Sequence, residues 1–318
     1  MDELKLNDVS KSNSVSSKLA LEHLDLELAS AKEQRMLDAL AGIPSLLVAF
    51  SGGADSAYLA WAAARVLVSK ALAVTALSAS YSEHDRGVAE AFARAHGIRH
   101  EWLETHETSN PLYVANNPDR CYFCKDELFA HMGKLARARG FAAIAYGINA
   151  DDTRDFRPGH RAAREHAVLA PMLDAGLTKS EIRQLSRRAG LETWDRPASA
   201  CLSSRVPYGT PVTPELLRRV ERAECAIRDL GFRQFRVRAH GELARVEIDR
   251  PELPRALDET MARRIVRAVQ VAGFDRAEID PAGYRQGSLN EVLRQPIASV
   301  SALEATEGAN RQPQKTGA

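Results

Sequence analysis

Cysteine is scarce in this 318-residue sequence: there are four, Cys121, Cys124, Cys201 and Cys225, and no second C-x-x-C completes a four-cysteine zinc site. A transmembrane helix is excluded by a second lack, since nowhere do about 18 apolar residues run uninterrupted. Excess charge of one sign is missing too. Forty-three Lys and Arg against 42 Asp and Glu leave a net +1, which argues against a bulk electrostatic grip on nucleic acid and leaves only a local patch open. Met1, Asp2 and Glu3 lack the basic start and apolar core of a signal peptide, so the expected location is cytoplasmic, away from membranes. In that reducing setting four cysteines are not a disulfide frame, and any that cluster read as metal ligands or reactive thiols. With 45% hydrophobic and 27% charged residues, the chain has enough apolar material for a sizeable core and is long enough for two domains.

What is present centres on Val48-Ala49-Phe50-Ser51-Gly52-Gly53-Ala54-Asp55-Ser56. Leu46 to Phe50 has the short apolar run of a buried parallel strand, and Asp55 to Val68 has the spacing of a helix. Two glycines between them let the backbone press against a ligand, while the helix start offers free N–H groups and positive dipole to phosphate. Ser51 and Ser56 add hydroxyls, and Asp55 is placed to orient the loop or meet nucleotide-borne Mg2+. The Walker A lysine is absent, and so is the dinucleotide G-x-G-x-x-G. The pattern SGGxDS resembles the PP-loop of the ATP pyrophosphatases; the plain alternative is a Ser/Gly turn between strand and helix.

Further strands are expected at Ala71 to Ser78, His100 to Leu103 and Phe141 to Tyr146, and helices at Leu24 to Leu40, Glu83 to His96 and Lys125 to Arg139. Such alternation predicts an α/β fold, a doubly wound parallel sheet with ligands at the carboxyl ends of its strands. The expected organisation is a disordered 1–23, a PP-loop domain over 24–195, a smaller α+β domain over 196–288 and a disordered 289–318. Thr178 and Glu181 form a capping box that marks a helix start.

Three other stretches carry chemistry. Tyr146 to Gly159 follows a strand and holds Asp151, Asp152, Asp155 and Arg157; it reads as a nucleotide or magnesium contact, or else as a solvated loop of local turns. Trp194 to Pro214 loses periodicity around Ala200-Cys201-Leu202-Ser203-Ser204-Arg205, where a nearby cation favours thiolate, although a lone cysteine is as often an inert thiol. Gln234 to Ala239 and Leu243 to Ile248 alternate as a hairpin around His240-Gly241-Glu242; Arg236 and Arg238 share one face, able to meet an anion or simply solvated. The helix over 213–230 places Leu216, Val220, Ala223, Ile227 and Leu230 on a stripe that Cys225 falls outside, so Cys225 is given no role.

Arg120-Cys121-Tyr122-Phe123-Cys124-Lys125 precedes the expected helix start, where dipole and flanking cations favour thiolate. By itself the pair reads equally as half a zinc site, a redox pair or part of an iron–sulfur site. With Cys201 it makes three thiols, which on a [4Fe-4S] cluster would leave one iron open. Taken together, SGGADS, RCYFCK, YGINADDTRDFRPG, PASACLSSRVPYG and FRVRAHGELARVEI resemble the LarE family of ATP-dependent sulfur transferases over residues 27 to 280, and the ACLSSR segment is the most specific part.

The resemblance implies adenylation of a carboxylate of pyridinium-3,5-biscarboxylic acid mononucleotide and replacement of its oxygen by sulfur, toward the nickel-pincer nucleotide cofactor. It implies ATP and Mg2+ as cofactors, a sulfide or other sulfur donor, and a homo-oligomer. Ser51, Gly52, Gly53, Asp55 and Ser56 would hold phosphates, and the acidic loop would assist. Cys121, Cys124 and Cys201 would ligate a [4Fe-4S] cluster, the alternative being a sacrificed Cys201 that ends as dehydroalanine. Arg205, then Arg236 and Arg238, would neutralise substrate anions, with Glu224 and Glu247 as weaker candidates. Two rivals remain open: a PP-loop tRNA thiolase, which the near-neutral charge disfavours, and a non-enzymatic cluster or metal carrier.

Overall fold

The computed structural model describes residues 26–154, 158–197 and 200–285, and for 153 and 154 the backbone alone. Asp155 and Arg157, and both ends expected to be disordered, lie outside the described residues. Residues through Tyr284 belong to one compact unit that contains both sheets described below.

Four strands, β1 (Leu46–Ala49), β2 (Ala71–Leu77), β3 (His100–Glu104) and β4 (Ala143–Tyr146), pair in parallel in the order β3-β2-β1-β4. Their side chains alternate between two cores: Leu46, Val48, Ala71 and Ala73 face one, and Leu47, Ala49, Leu72 and Val74 face the other. A strand buried on both faces needs apolar residues at every position, which is why Leu46–Ala49 and Ala71–Val74 read as unbroken hydrophobic runs, while the edge strand β3 does not. The first core is covered by α1 (26–41), α2 (Ala54–Leu67) and α3 (Glu83–Ala95), with Ile182 and Leu185 from a later helix. Between α3 and β4 come α4 (Pro111–Val114) and α5 (Arg120–Arg139), and α5 covers the second core through Leu128, Phe129 and Met132.

After β4 the chain runs through α6 (Gly159–Glu165), α7 (Pro171–Asp174) and α8 (Lys179–Arg188). The Thr178–Glu181 capping box is present at the start of α8. A third core is built by α9 (Pro214–Asp229), β5 (Phe235–His240), β6 (Leu243–Ile248), α10 (Leu253–Leu257), α11 (Glu259–Val271) and β7 (Arg276–Ile279). Here β5 and β6 form an antiparallel hairpin turned by Gly241 and Glu242, and β7 joins β6 in parallel. Tyr113, Phe123 and Cys124 pack into this core from the sheet side. On α9 the fully buried stripe runs through Leu217 rather than Leu216, with Glu224 inside it.

Strand order decides where a ligand fits. The chain leaves β1 toward β2 and β3 and returns on the other side of β1 as β4, so the order reverses between β1 and β4. The crevice outside their carboxyl ends is the binding position of open α/β sheets. Among the described residues no helix is long and apolar enough to cross a membrane.

Candidate functional site

The loop from β1 to α2 is shaped for phosphate by its own hydrogen bonds. Gly52 takes φ +68°, and a Cβ there would come within 3.1 Å of Ala89 Cβ and 3.3 Å of Arg196 Nη1. Gly53 caps α2 with no side-chain hydrogen bond, so the helix presents its first N–H groups without a protein cap. Ser56 Oγ donates to Gly53 O (3.1 Å) and accepts from Ser51 N (3.1 Å), which fixes the turn. The carboxyl end of β4 comes hard against it: a Cβ on Gly147 would sit 2.7 Å from both Cα and N of Ser56.

The two loops therefore share the β1–β4 crevice. Asn149 Nδ2 donates to Asp55 Oδ2 (3.3 Å), Asp151 accepts from the Lys179 amide (2.8 Å), and Lys179 Nζ lies 2.5 Å from Asp55 Oδ2. Asp55 Oδ1 is buried and has no hydrogen-bond partner. An orphaned carboxylate oxygen beside an uncapped helix start is the donor a hard cation such as Mg2+ takes. Asp152 is buried and accepts from Asn149 N (3.2 Å), so it shapes the loop. The sequence missed Lys179. The capping box marked the start of α8, but nothing local tells that its first residue reaches a loop 124 positions earlier.

The stretch after β2 joins this crevice to Cys201. Tyr81 Oη lies 3.1 Å from Ser51 O, and Ser80 O accepts from the amide of Leu202 (2.9 Å). Arg196 reinforces the joint, donating to Gly52 O (2.6 Å) and to Asp85 Oδ1 (2.5 Å). The 3-10 turn Leu202–Arg205 is also held from α4 and α5: Tyr113 Oη and Ser203 Oγ are 2.5 Å apart, and Arg120 Nη1 donates to Ser203 O (2.8 Å). Asn116 Nδ2 binds the carbonyls of Pro207 (2.8 Å) and Thr210 (2.9 Å).

Cys121 and Cys124 lie inside the first turns of α5, because the helix begins at Arg120 and not after the pair. The three thiols come within electrostatic reach of one another. Cys121 and Cys201 are exposed and Cys124 is half-buried; protein packed around the Cys121 sulfur nonetheless raises its pKa by desolvation, with Cys201 adding to the rise and Arg120 and Lys125 opposing it. The Cys124 pKa is raised first by burial and then by the Glu107 carboxylate. Among the described residues no three His, Cys, Asp or Glu side chains are close enough to chelate a single ion. The three sulfurs come from two segments, Cys121 and Cys124 from α5 and Cys201 from the start of the 3-10 turn, an all-sulfur donor set.

The arginines meet anions of the protein itself. Arg205 pairs with Glu224 through Nε–Oε1 and Nη2–Oε2, each 2.8 Å, and donates from Nη1 to the carbonyl of Cys201 (3.0 Å). Glu224 is held below the usual carboxylate range: burial opposes this, but Arg205 outweighs it. Arg238 is likewise buried and pairs with Glu247 (2.9 Å). Arg205 and Arg238, expected to neutralise substrate anions, are both paired with internal carboxylates here, and both also bond the Cys201 turn, Arg238 through the carbonyl of Ser204 (2.7 Å). Arg236 lines a cavity of about 130 Å³ together with His84, Arg196, Arg228 and Cys225, so Cys225, given no role from the sequence, faces this space.

No family model matches the sequence. The pyridinium-3,5-bisthiocarboxylic acid mononucleotide synthase of Lactiplantibacillus plantarum is 31% identical over 265 residues, which cover 83% of this chain and 95% of that protein. The chain belongs to the LarE family. An uncharacterized protein of Synechocystis sp. is 43% identical over 247 residues, 78% of this chain and 92% of that one. An uncharacterized protein of Methanocaldococcus jannaschii is 25% identical over 240 residues, 76% of this chain and 90% of that one.

Proposed function

We propose that this LarE-family chain is an ATP-dependent sulfur transferase, one that adenylates the carboxylates of pyridinium-3,5-biscarboxylic acid mononucleotide and converts them to thiocarboxylates for the nickel-pincer nucleotide. The observation that carries the reading is the short bridge from Ser51 through Tyr81 and Ser80 to Leu202, which brings the phosphate loop and the cysteine turn to one place.

A carboxylate is a poor acylating agent until its oxygen becomes part of a leaving group. Its oxygen attacks the α-phosphorus of ATP and pyrophosphate departs; a sulfur nucleophile then attacks the acyl carbon and AMP departs. Ser51, Gly52, Gly53 and Ser56 would hold the phosphates, and Asp55 with the 151–152 carboxylates would hold Mg2+, which would supply charge neutralisation for them. Lys179, whose ammonium lies at Asp55 on the same crevice, neutralises the departing pyrophosphate. Arg236, and Arg228 beside it, face the cavity next to the cysteine turn and receive the substrate's anionic groups. When bound by Cys121, Cys124 and Cys201, a [4Fe-4S] cluster supplies an open iron at which donor sulfide is held.

Pyrophosphate release is the test. It should require ATP, Mg2+ and the pyridinium mononucleotide, and tRNA should not substitute; release with tRNA alone would move the chain to the thiolases, and none with either would favour a carrier. Iron and sulfide analysis after anaerobic purification then separates the two sulfur sources. A metal-free active protein that loses about 34 Da at Cys201 per turnover, the hydrogen sulfide a cysteine gives up in a covalent route, would replace the cluster by the sacrificial mechanism.

A further inference from the structure

Three arginines are buried among the described residues, and two of them, Arg205 and Arg238, face glutamates. The third, Arg120, is 5% exposed and has no carboxylate partner there. Its Nη1 donates to two neutral oxygens, Asn116 Oδ1 and Ser203 O, the second on the turn that follows Cys201, and the next residue along the chain is Cys121. A guanidinium cannot shed its charge, and leaving one buried without an anion is costly. The rest of the fold avoids that cost, so the exception at the cysteine site asks for a ligand.

The groups with negative potential around Arg120 are, in order of effect, Cys201, Cys121, Tyr113 and Tyr208. Both tyrosines have their pKa raised, chiefly by burial, and stay neutral. Sulfur remains. On the far side, Glu107 is 2% exposed, held by the hydroxyls of Ser80 (2.8 Å) and Thr105 (3.0 Å), and its negative charge acts on Cys124. The site is polarised, with a buried cation held only by neutral oxygens toward Cys121 and Cys201 and a buried carboxylate held by two hydroxyls toward Cys124.

We infer that Arg120 is the resident counter-charge of the sulfur site, placed to face a sulfur anion lodged between Cys121 and Cys201. Two sources share that chemistry: thiolates ligating an iron–sulfur cluster, which rests on the reading above, and free hydrosulfide delivered to the thiols, which does not. In either case the guanidinium gains the partner that Glu224 and Glu247 give to the other two. Glu107 repels the same anion from Cys124, so negative charge gathers on the Cys201 side, where the proposed transfer takes place.

The experiment uses the full chain, its Arg120→Gln variant and its Arg120→Lys variant, purified anaerobically and checked for fold by circular dichroism. In one arm each is reconstituted with iron and sulfide, and iron retained per chain and midpoint potential are measured. In the other, metal-free protein is titrated with sodium hydrosulfide and the rise in Tm gives its affinity. Wild type and Arg120→Lys are expected to hold the anion in at least one arm. Arg120→Gln should retain iron or bind hydrosulfide about tenfold less well, the effect of one charge-assisted contact, or show a lower midpoint potential because the reduced, more negative state has lost its neighbouring cation.

Iron uptake by wild type with equal retention and potential in Arg120→Gln would overturn the counter-charge and leave the cluster standing. No iron uptake but Arg120-dependent hydrosulfide binding would sink the cluster and keep the counter-charge. Silence of wild type in both arms overturns both. If Arg120→Gln does not fold, Arg120→Lys decides: retention within about threefold supports charge as the property that matters, and a loss beyond about tenfold in folded protein refutes it.

Discussion

Replacing Glu224 by Gln changes one charge and almost no volume, in the middle of the frame that holds Cys201. The pair it breaks is bidentate, both contacts are 2.8 Å, and the side chains are 4% and 6% exposed, so solvent screening is small. Unit charges about 4 Å apart at an effective dielectric near 20 attract by roughly 4 kcal/mol. Stranding one partner of a buried pair costs about 3–5 kcal/mol in practice. We therefore expect Glu224→Gln to lose about 3–4 kcal/mol. Taking about 3 kcal/mol/M as the urea slope for a chain of this size, tryptophan-monitored unfolding should move its midpoint down by roughly 1 M.

The double variant Arg205→Met with Glu224→Leu should recover most of that stability, because two matched apolar residues leave no stranded charge. It should not recover sulfur transfer, since the Arg205 contact with the carbonyl of Cys201 is gone. A Glu224→Gln midpoint within about 0.3 M of wild type would refute the assignment of the pair as the lock of this turn. So would a double variant with full activity.

Lys179→Met should cut ATP-dependent pyrophosphate release about a hundredfold, the scale of losing one transition-state charge contact, while changing stability by less than about 1 kcal/mol because the Lys179–Asp55 pair is partly exposed; a variant with near-normal release removes Lys179 from the mechanism. Gly147→Ala forces a Cβ to 2.7 Å from the Ser56 backbone, which cannot yield like a side-chain tip, and should cost about 1–3 kcal/mol in thermal or urea unfolding together with weaker ATP binding. The pKa of His100 is lowered by burial from 6.5. Above that value both states carry neutral imidazole; as pH falls below it the unfolded chain protonates first, and stability declines until the folded-state pKa is passed, by at most about 1.4 kcal/mol per pH unit. His84 and His240 shift the same way. His100→Gln should therefore remove one share of the acid slope between pH 6.5 and 5, and an unchanged slope in a urea titration series would contradict the burial argument.

The sheet was readable from its residues because strands buried on both faces must be apolar, as in Leu46–Ala49 and Ala71–Val74. Punctuation was equally plain: Gly52 and Gly53 between strand and helix, Thr178 and Glu181 at the start of α8. The helix start before Cys121 was misplaced, since Arg120 and Cys121 carry no capping signal and Asp119 caps without a side-chain bond. What local pattern does not encode is partnership at long separation. Alternation told that Arg236 and Arg238 share a face, but not that Glu247 on the neighbouring strand would claim Arg238. Nor does any spacing rule bring Lys179 to Asp55, or Arg120 and Glu107 to opposite sides of the thiols. Those contacts exist because tertiary packing brings distant segments together, and charge becomes informative only when its burial and neighbours are known.

Two neighbouring residues after β2 tie the β1–α2 loop to the cysteine turn, Tyr81 through Ser51 O and Ser80 through the Leu202 amide. Under the proposed reaction so short a joint would act as a ruler: a molecule activated on one side would have to present its reacting carbon across a fixed span, and reach would help select which acids receive sulfur.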